Sequence, residues 1–389
     1  MTKLVKENKI KIIVISVTAF LIVVLSLIKR SVWICEYIFA RGIARIYQVI
    51  IGNITSLLPF SLFELMIIAA IVLGIIFIFL MVKRIIVKDW NKLFKGILKL
   101  ISVALIVILL YIVTASMNYN RAPMILKTYQ GEVIKEDVAD IAYYFLNDYN
   151  YLATSFQRDE NGNVISPYSD RELAKIMREE FKRLNSSYFS PFTPLGRSII
   201  FSDFMCYNRV IGVSFNLTAE PNINRKVPCY EKPYTMAHEI AHSIGIMRES
   251  DANLIAAYIT LTSANDFVRY SGYFNTMGNI ASMLIFMYGH QSPTYIDFSN
   301  SYHENIHHDY SFYSDFWSEY DTFVDRISSF VNDLYLKLQG VKEGTDSYNI
   351  PYEYEIIDSG ERNEYGDTLF DIELSLVQRI YFDIYYSRK

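Results

Sequence analysis

Two histidines and a glutamate in the middle of the chain have the residue types and the spacing of a metal site. His238, Glu239 and His242 form a His-Glu-x-x-His segment. Residues four apart on an α-helix lie on the same face about one turn from each other, so the two histidines can bind one ion. Glu239 then lies beside the metal, where its carboxylate can take a proton from an activated water. The pattern predicts a catalytic site for one zinc ion (Zn2+), with Glu239 as the general base.

A third ligand is expected downstream, because a catalytic zinc usually has three protein ligands and one open position. Glu249 and Asp251 are the nearest carboxylates. A turn at Gly245 would end the first helix and fold a second helix back across it, so that the start of the second helix faces the metal. The spacing leaves Glu249 and Asp251 as alternatives.

The start of the second helix is similar to a known ligand helix. Glu249-x-x-Ala252-Asn253 resembles the Glu-x-x-Ala-Asp helix of glutamate-zincin peptidases, in which the Glu binds zinc and the Asp steadies a ligand histidine. The resemblance implies that Glu249 is the third ligand and that Asn253 orients a histidine. Asn253 departs from the Asp of that pattern, so its hydrogen bond would carry no charge. The metzincin pattern would place its third ligand at Arg248, and arginine does not bind zinc.

A second His-Glu-x-x-His segment runs from His303 to His307. The first segment lies among small and apolar residues whose spacing is typical of a buried helix. The second lies in a stretch rich in Ser, Tyr, Asn and Asp without helical periodicity, and we interpret it as a solvated loop or as an accessory loop that contacts substrate. The alternative for the first segment is a helix whose histidines only make hydrogen bonds in the core.

The amino-terminal third has the composition of a membrane domain. Three apolar runs, Ile12–Ile28, Leu65–Val82 and Leu100–Ser116, are each near the length that crosses a bilayer as a helix. Lys29 and Arg30 follow the first run directly, and no small-x-small cleavage site is present, so the first run is interpreted as an anchor and not as a signal peptide. We expect residues 1–117 to form the membrane domain and residues 118–389 to form one further domain.

The distribution of Lys and Arg predicts the orientation in the cell membrane. Lysines precede the first run, and Lys and Arg fill the connection between the second and third runs, so both segments are expected in the cytoplasm. The domain from residue 118 onward is then extracytoplasmic. The connection between the first and second runs is aromatic and amphipathic, and we expect it at the outer interface or beside the helices.

Composition excludes one class of partner and leaves other questions open. The net charge of −4 gives no electrostatic basis for binding nucleic acid. The expected partners are a peptide or protein substrate and the lipid bilayer, while the oligomeric state stays open. Cys206 and Cys229 either form a disulfide or remain two thiols, and neither belongs to a Cys-x-x-Cys pair.

Residue patterns in the second domain predict a mostly helical α+β fold with a small sheet. Helices are expected over about 135–149, 170–184, 277–288, 315–338 and 368–385, and strands over 199–201 and 210–215. In the helix over 315–338, apolar residues including Phe316, Phe323, Ile327, Val331 and Leu334 are expected to face inward. The second strand precedes the metal helix, and it is either an ordinary core strand or an edge strand that could bind an extended substrate.

The whole chain resembles the bacterial membrane family called domain of unknown function 3810. Members are regarded as zinc metallopeptidases in which three membrane helices precede a zincin-like domain. The matching pieces are Pro59 to Leu62, Thr235 to Tyr258, Arg269 to Tyr273, Tyr335 to Lys337, Gly344 and Ser347-Tyr348. Members typically have Arg-Glu-Asp-Glu-Ala-Asn where this chain has Arg248 to Asn253, so Ser250 and Asp251 are departures.

These inferences predict a membrane-anchored zinc metallopeptidase that hydrolyses peptide bonds of a cell-envelope or other extracytoplasmic substrate. A hydrogen-bond donor must also stabilise the oxyanion, and the candidates are Tyr270, Tyr273, Arg248 and His290. One alternative is a membrane scaffold or sensor that binds zinc without turnover. The other is a zinc hydrolase that acts on a non-peptide amide or ester of the envelope.

Overall fold

The computed structural model describes residues 7–122, 124, 129, 131, 133, 135–184, 192–339, 341–342, 344–345, 357–362, 368–371 and 374–388. The helices in chain order are α1 (Lys9–Ile28), α2 (Ala44–Ser56), α3 (Leu62–Ile86), α4 (Trp90–Thr114), α5 (Lys135–Ser155), α6 (Asp170–Lys182), α7 (Ser202–Tyr207), α8 (Lys232–Ser243), α9 (Glu249–Leu261), α10 (Asp266–Tyr288), α11 (Pro293–Asn300), α12 (Glu304–Ser318), α13 (Phe323–Gln339) and α14 (Leu376–Arg388). The strands are β1 (Arg197–Ile199), β2 (Gly212–Phe215), β3 (Glu220–Asn224), β4 (Ile357–Arg362) and β5 (Thr368–Asp371).

Three helices near the amino terminus, α1, α3 and α4, are long and apolar enough to cross a membrane. α1 and α3 contain their predicted runs, whereas α4 begins at Trp90, ten residues before its predicted start, and ends at Thr114, two residues before its predicted end. The connection between α3 and α4 is therefore only residues 87–89. The Asp89 carboxylate accepts a hydrogen bond from the Lys92 N–H and caps the start of α4. Lys29, just after α1, donates to Ser116 Oγ, just after α4, at 3.0 Å, so α1 and α4 end at the same end of the bundle.

The connection between α1 and α3 is helical. It consists of a π-helix, Ile34–Ile43, followed by α2. Glu36 in the π-helix is buried, and its carboxylate is paired with Arg121 and Arg41. This segment therefore contacts the chain that follows α4 and lies beside the membrane helices. The second of the two predicted placements, beside the helices, is the one observed.

A three-stranded sheet in the order β1-β3-β2 lies between the membrane helices and the metal-motif helix. β1 is parallel to β3, and β2 is antiparallel to β3 with Gly212 opposite Ile223 and Phe215 opposite Glu220. The predicted strand over 199–201 is wrong in position, because the strand ends at Ile199 and Phe201 precedes α7. The strand β3 was not predicted, since its buried Glu220, Asn222 and Asn224 give it no apolar alternation.

Polar side chains join this sheet to the first turn of α3. The Glu220 carboxylate accepts hydrogen bonds from the backbone N–H groups of Leu62 at 3.0 Å and Phe63 at 2.9 Å. Ser61 Oγ donates to Asn222 Oδ1 at 2.8 Å. The first N–H groups of a helix lack partners within it, so Glu220 caps the membrane helix from the sheet.

The carboxyl-terminal half departs from the predicted helices in three places. The helix predicted over 315–338 is two helices, α12 and α13, separated at residues 319–322. Phe323, Ile327, Val331 and Leu334 are exposed and do not face inward. The helix predicted over 368–385 is wrong in its first part, where β5 pairs with β4 and α14 begins only at Leu376. The segment over 277–288 is the second half of α10.

The predicted helices over 135–149 and 170–184 correspond to α5 and α6, whose apolar faces are buried in one core with α8, α9, α10 and α14. α8 lies in the middle of this core and packs on β2, β3, α9 and α10. Cys206 and Cys229 are free thiols: Cys206 Sγ accepts from Asn224 Nδ2 at 3.2 Å, and Cys229 Sγ donates to the Val164 carbonyl at 3.1 Å. The disulfide alternative is therefore wrong in this structure.

Candidate metal centre

The helix α8 presents the first His-Glu-x-x-His segment, and local sequence fixes where it starts and stops. Pro233 lies in its first turn, where the missing N–H costs nothing. The helix ends before Gly245, which has a φ of +96°, a conformation that glycine adopts without strain. The Ile246 N–H donates to the Ala241 carbonyl at 3.0 Å across this turn. The chain thereby reverses and begins α9 at Glu249.

The first residue of α9 meets the two histidines of α8. Nε2 of His238 and Nε2 of His242 lie 3.0 Å apart. Glu249 Oε2 is 3.1 Å from the first of these nitrogens and 3.3 Å from the second. His242 and Glu249 are buried, whereas the side chain of His238 is 14% exposed, so the cluster opens to solvent at His238. Within the described part of the chain, this is the group of three side chains that could hold a metal ion.

The Nδ1 atoms of both histidines, which face away from Glu249, already have hydrogen-bond partners. His238 Nδ1 lies 2.8 Å from Asn253 Oδ1, and His242 Nδ1 lies 2.6 Å from the Ile246 carbonyl oxygen. A carbonyl oxygen only accepts hydrogen bonds, so Nδ1 of each ring is the protonated nitrogen and donates. In the neutral rings both Nε2 atoms then point lone pairs toward the Glu249 carboxylate.

Three electron-pair donors therefore converge on one point, and a cation fits between them. Zinc ligands at about 2.1 Å in tetrahedral geometry lie about 3.4 Å from one another. The three measured separations, 3.0, 3.1 and 3.3 Å, are close to that spacing. The donor set of two imidazoles and one carboxylate is also one that zinc accepts in catalytic sites.

The charges in the cluster shift the pKa values of its members. Burial alone would lower the pKa of His242, but the adjacent Glu249 carboxylate raises it to about 9. Burial would raise the pKa of Glu249, and the two histidines instead hold it well below its usual range. The Glu249 carboxylate therefore favours a positive charge, such as a proton or a cation, at the point where the three donors meet.

Glu239 lies on the other side of the cluster, against the sheet. A Cβ atom on Gly212 of β2 would be 2.6 Å from Glu239 Cγ and Oε1, so only glycine lets the strand approach this carboxylate. Glu239 is 5% exposed, and burial raises its pKa, while the two histidines and the Ser214 N–H oppose the rise. Its carboxylate is not one of the three converging donors.

Asp251, the alternative ligand, turns away from the histidines. Its Oδ2 lies 3.6 Å from Nε of Arg248, and burial raises its pKa. Asn253 lies where the resemblance to glutamate-zincins placed it, against His238. The structure therefore brings together His238, His242, Glu249 and Asn253 and leaves Asp251 outside.

The second His-Glu-x-x-His segment has a different local structure from the one predicted, because residues 304–318 form the helix α12. His303 is the residue before this helix, and its Nδ1 accepts the Asn305 N–H at 3.1 Å. His307 lines a pocket of about 240 Å³ together with Tyr302 and Tyr310. Because His303 caps the helix from outside, the two histidines do not share a helical face.

The four candidate oxyanion donors have other partners. Tyr270 donates to Asp309, and Tyr273 Oη donates to Asp148 Oδ2 at 2.7 Å. Arg248 donates to the Arg121 carbonyl, and His290 lies against Tyr295. In the described part of the chain, none of these four side chains makes a hydrogen bond or ion pair with His238, His242 or Glu249.

The sequence reasoning missed residues near the membrane helices that contact the Gly245 turn between α8 and α9. A Cβ atom on Gly245 would be 3.1 Å from Nδ2 of Asn118 and 3.2 Å from Oε1 of Gln48, both of them buried side chains. Arg121 Nη1 donates to the Gly245 carbonyl at 3.3 Å, and the same guanidinium forms two bonds of 2.9 and 3.0 Å with Glu36. Isolated polar residues near a membrane span carry no spacing signal, so only the fold could reveal them.

The comparisons with known proteins concern the chain as a whole. No curated protein and no solved structure matches it. One family model, described as Protein of unknown function (DUF3810), matches residues 39–354, which extend from the π-helix beyond α13. This range covers most of the chain, including two membrane helices and the metal cluster, so the chain belongs to the DUF3810 family.

Proposed function

We propose that this protein is a membrane-anchored, zinc-dependent metallopeptidase with a zincin-like domain, which hydrolyses peptide bonds of an extracytoplasmic substrate. The observation that supports the proposal is the convergence of His238, His242 and Glu249 within hydrogen-bond distance of one another, with both outer ring nitrogens donating to fixed acceptors. Two imidazoles and one carboxylate that meet at one point are also a donor set that zinc accepts in catalytic sites.

One zinc ion would be held by His238, His242 and Glu249. When bound, zinc supplies a Lewis acid that polarises a carbonyl oxygen and lets water ionise near neutral pH. Asn253 and the Ile246 carbonyl hold the two rings so that Nε2 of each faces the cluster. Such outer contacts tune both the orientation and the basicity of ligand histidines.

Glu239 is the residue that moves protons in this proposal. It is buried beside the cluster without being one of its three donors, so its carboxylate is free to accept a proton from the attacking water. The same carboxyl group can then donate that proton to the leaving amine. Gly212 admits this side chain against β2, the strand along which an extended peptide could be held.

The strand β2 supports a peptide substrate over a non-peptide one. Among the described residues it pairs with β3 alone, so its other edge can accept the backbone of another chain. Strand addition of this kind recognises an extended peptide through main-chain hydrogen bonds. The orientation that goes with this function keeps the amino terminus in the cytoplasm and the metal site outside the cell membrane, as the distribution of Lys and Arg predicts.

The first experiment is elemental analysis of the full chain purified in detergent. About one zinc per chain is expected in the unaltered protein, with loss in the variants His238→Ala and Glu249→Ala and retention in the matched variant His303→Ala. Zinc that follows His303, or that is absent from a folded protein, would contradict the proposal.

A peptidase assay separates catalysis from the two alternatives. The unaltered protein is expected to cleave members of a mixed peptide library, while Glu239→Gln binds zinc and does not cleave. Zinc binding with no cleavage by either protein would favour the scaffold or sensor. Hydrolysis of amide or ester substrates without cleavage of any peptide would favour the non-peptide hydrolase.

A further inference from the structure

The helix α13 carries its apolar side chains on the face that points away from the protein. Six residues of this helix are between about half and three-quarters exposed: Phe323, Ile327, Phe330, Val331, Leu334 and Leu338. On a helix with 3.6 residues per turn they fall within an arc of about 100°. A helix on a water-facing surface has the opposite arrangement, with its apolar stripe against the core.

The inward face of α13 is mostly polar. Leu336 is buried there, against Ala115, Tyr119 and Met247. Ser328 on the same face donates to the side-chain oxygen of Asn208. The charged residues Arg326 and Lys337 are exposed at the edge of the apolar arc. The helix is therefore held to the domain by few apolar contacts and presents its largest apolar area outward.

The position of α13 explains this inversion, because the helix lies across the ends of two membrane helices. Tyr335 Oη is 2.5 Å from Oη of Tyr111, a residue that lies within the last turn of α4. Lys29, the residue after α1, donates through Nζ to the carbonyl and the side-chain oxygen of Gln339, both at 3.2 Å. Ser116 Oγ donates to the same side-chain oxygen at 2.8 Å.

A second exposed apolar group lies at the remaining membrane helix. Ile200, Phe201 and Phe204 are between 41% and 68% exposed. The backbone N–H groups of Ile200 and Phe201 donate to the carboxylate of Glu64 at 2.7 and 2.8 Å, and Glu64 lies in the first turn of α3. Exposed apolar side chains thus lie beside the end of α1, the start of α3 and the end of α4.

We propose that α13 is an interfacial helix that lies in the plane of the membrane, with its apolar stripe among the lipid chains of the bilayer that contains α1, α3 and α4. Helices of this kind bury one apolar face at the boundary between headgroups and acyl chains. The lipid bilayer is chosen as the occupant because the stripe continues the apolar surface of the membrane helices through Tyr111 and Lys29. The exposed side chains of Ile200, Phe201 and Phe204 make a second contact with the same surface.

Photo-crosslinking in lipid tests this placement. The full chain is reconstituted in phosphatidylcholine and phosphatidylglycerol nanodiscs with the aromatic photo-crosslinker benzoylphenylalanine at Phe330, at Ser329 as the matched neighbour, or at Phe79 as a position within α3. Crosslinking to lipid, read by mass, is expected at 330 at a level similar to 79 and at least fivefold above 329. A dimer-sized adduct at 330, or no lipid adduct at 330 while 79 reacts, would overturn the proposal.

Separate contacts place the candidate active site itself next to the membrane. The ring of Phe215, the last residue of β2, lies 4.7 Å from the ring of Phe63 in the first turn of α3. Gly212, the first residue of β2, contacts Glu239. Because a strand rises about 3.3 Å per residue, these two ends of β2 are about 10 Å apart. Asn118, four residues after the end of α4, lies against Gly245.

The geometry therefore points to a substrate class, an inference that rests on the proposed peptidase function. We infer that the substrate is the extracytoplasmic segment adjoining the membrane span of another polypeptide. A chain added along β2 would have one end at Glu239 and the other at the start of a membrane helix. Few residues would then separate the cleaved bond from the membrane surface.

Two forms of one substrate test this inference in the same vesicles. A degenerate cleavage segment is placed either within five residues of a single membrane span or on a soluble carrier without a span. The tethered form is expected to be cleaved at least tenfold faster at equal bulk concentration, and moving the segment 40 residues from the span should remove most of this advantage.

The outcomes distinguish this inference from the proposed function. Cleavage of the soluble form as fast as the tethered form, with both reactions lost in Glu239→Gln, would overturn the substrate class and keep the peptidase. Failure of the unaltered protein to cleave either form, while it binds zinc, would overturn the peptidase function as well.

Discussion

The two His-Glu-x-x-His segments have the same pattern and very different surroundings. His238 and His242 lie within α8 and share a face, and a buried second helix supplies Glu249 as a third donor. His303 precedes α12 and caps it, while His307 points to an aromatic pocket. The comparison teaches that this spacing gathers a set of candidate metal ligands only when both histidines are inside one helix and another element brings a carboxylate to them.

The largest expected effect is on the peptidase rate, when the glutamate of each segment is replaced in turn. Glu239→Gln should lower the peptidase rate about 10²–10⁴-fold, because proton transfer by a placed side chain contributes about that much. Glu304→Gln is the matched control and should leave the rate unchanged. Steady-state cleavage of a library-derived peptide, with zinc content measured in parallel, checks both. Equal losses in the two variants would mean that the comparison between segments is wrong.

The next effect concerns Asn253, the residue that orients the ring of His238. Asn253→Ala removes the acceptor of the His238 ring and should weaken zinc affinity about 10–100-fold, as loss of such contacts typically does. Asn253→Asp restores an acceptor with charge and should bind zinc at least as tightly as the unaltered protein. Competition with a chelator measures the affinities. Asn305→Ala, within the other segment, should have no effect, and a loss of affinity there would count against the assignment.

A third prediction uses pH and the zinc-free protein. The pKa of His242 is raised to about 9 by Glu249, above the ordinary 6.5. The stabilisation from this pair is therefore complete below about pH 6.5 and is lost as the pH rises through about 9. The unfolding temperature of the zinc-free full chain in detergent should fall over that interval.

Two variants show whether this dependence on pH belongs to the metal cluster. Glu249→Gln removes the charge that raises the pKa of His242 and should flatten the dependence. His303→Ala should keep the slope of the unaltered protein. A slope that survives Glu249→Gln would mean that other groups cause it.

The smallest effect is expected at the second segment itself. His303→Ala removes the side chain that accepts the Asn305 N–H and should destabilise α12 by about 1 kcal/mol or less. His303→Ser keeps an acceptor at this position and should recover most of the loss. Thermal unfolding of the zinc-loaded protein checks the pair. A parallel loss of zinc in His303→Ala would show that the two segments are coupled.

The parts of the fold that sequence predicted are those with a strong local pattern. The apolar spacing in α5 and α6, the length of the membrane helices and the turn at Gly245 each follow from a few neighbouring residues. The resemblance to the Glu-x-x-Ala-Asp helix placed Glu249 and Asn253 near the histidines, whereas spacing alone left Glu249 and Asp251 as alternatives. These features could be read from the chain because they need no knowledge of distant contacts.

The missed features depend on partners far away in the chain. The strand β3 contains Glu220 and Asn222, whose partners are in the first turn of α3 and just before it. The apolar face of α13 was assigned to a core, since an amphipathic pattern alone does not say which apolar medium covers it. Arg121 and Asn118 contact the Gly245 turn that joins α8 to α9, and they do so only because α4 ends beside that turn.

The capping of α3 by the sheet also decides which part of the chain can fold alone. A truncated protein that began at residue 118 would lack the Leu62 and Phe63 N–H groups that bind Glu220, and it would lack the Glu36 carboxylate that binds Arg121. Each buried polar group left without a partner costs about 1–3 kcal/mol, and more when it is charged. α3 and the π-helix are therefore part of the folding unit that holds His238, His242 and Glu249, and removing them should destabilise the domain from residue 118 onward.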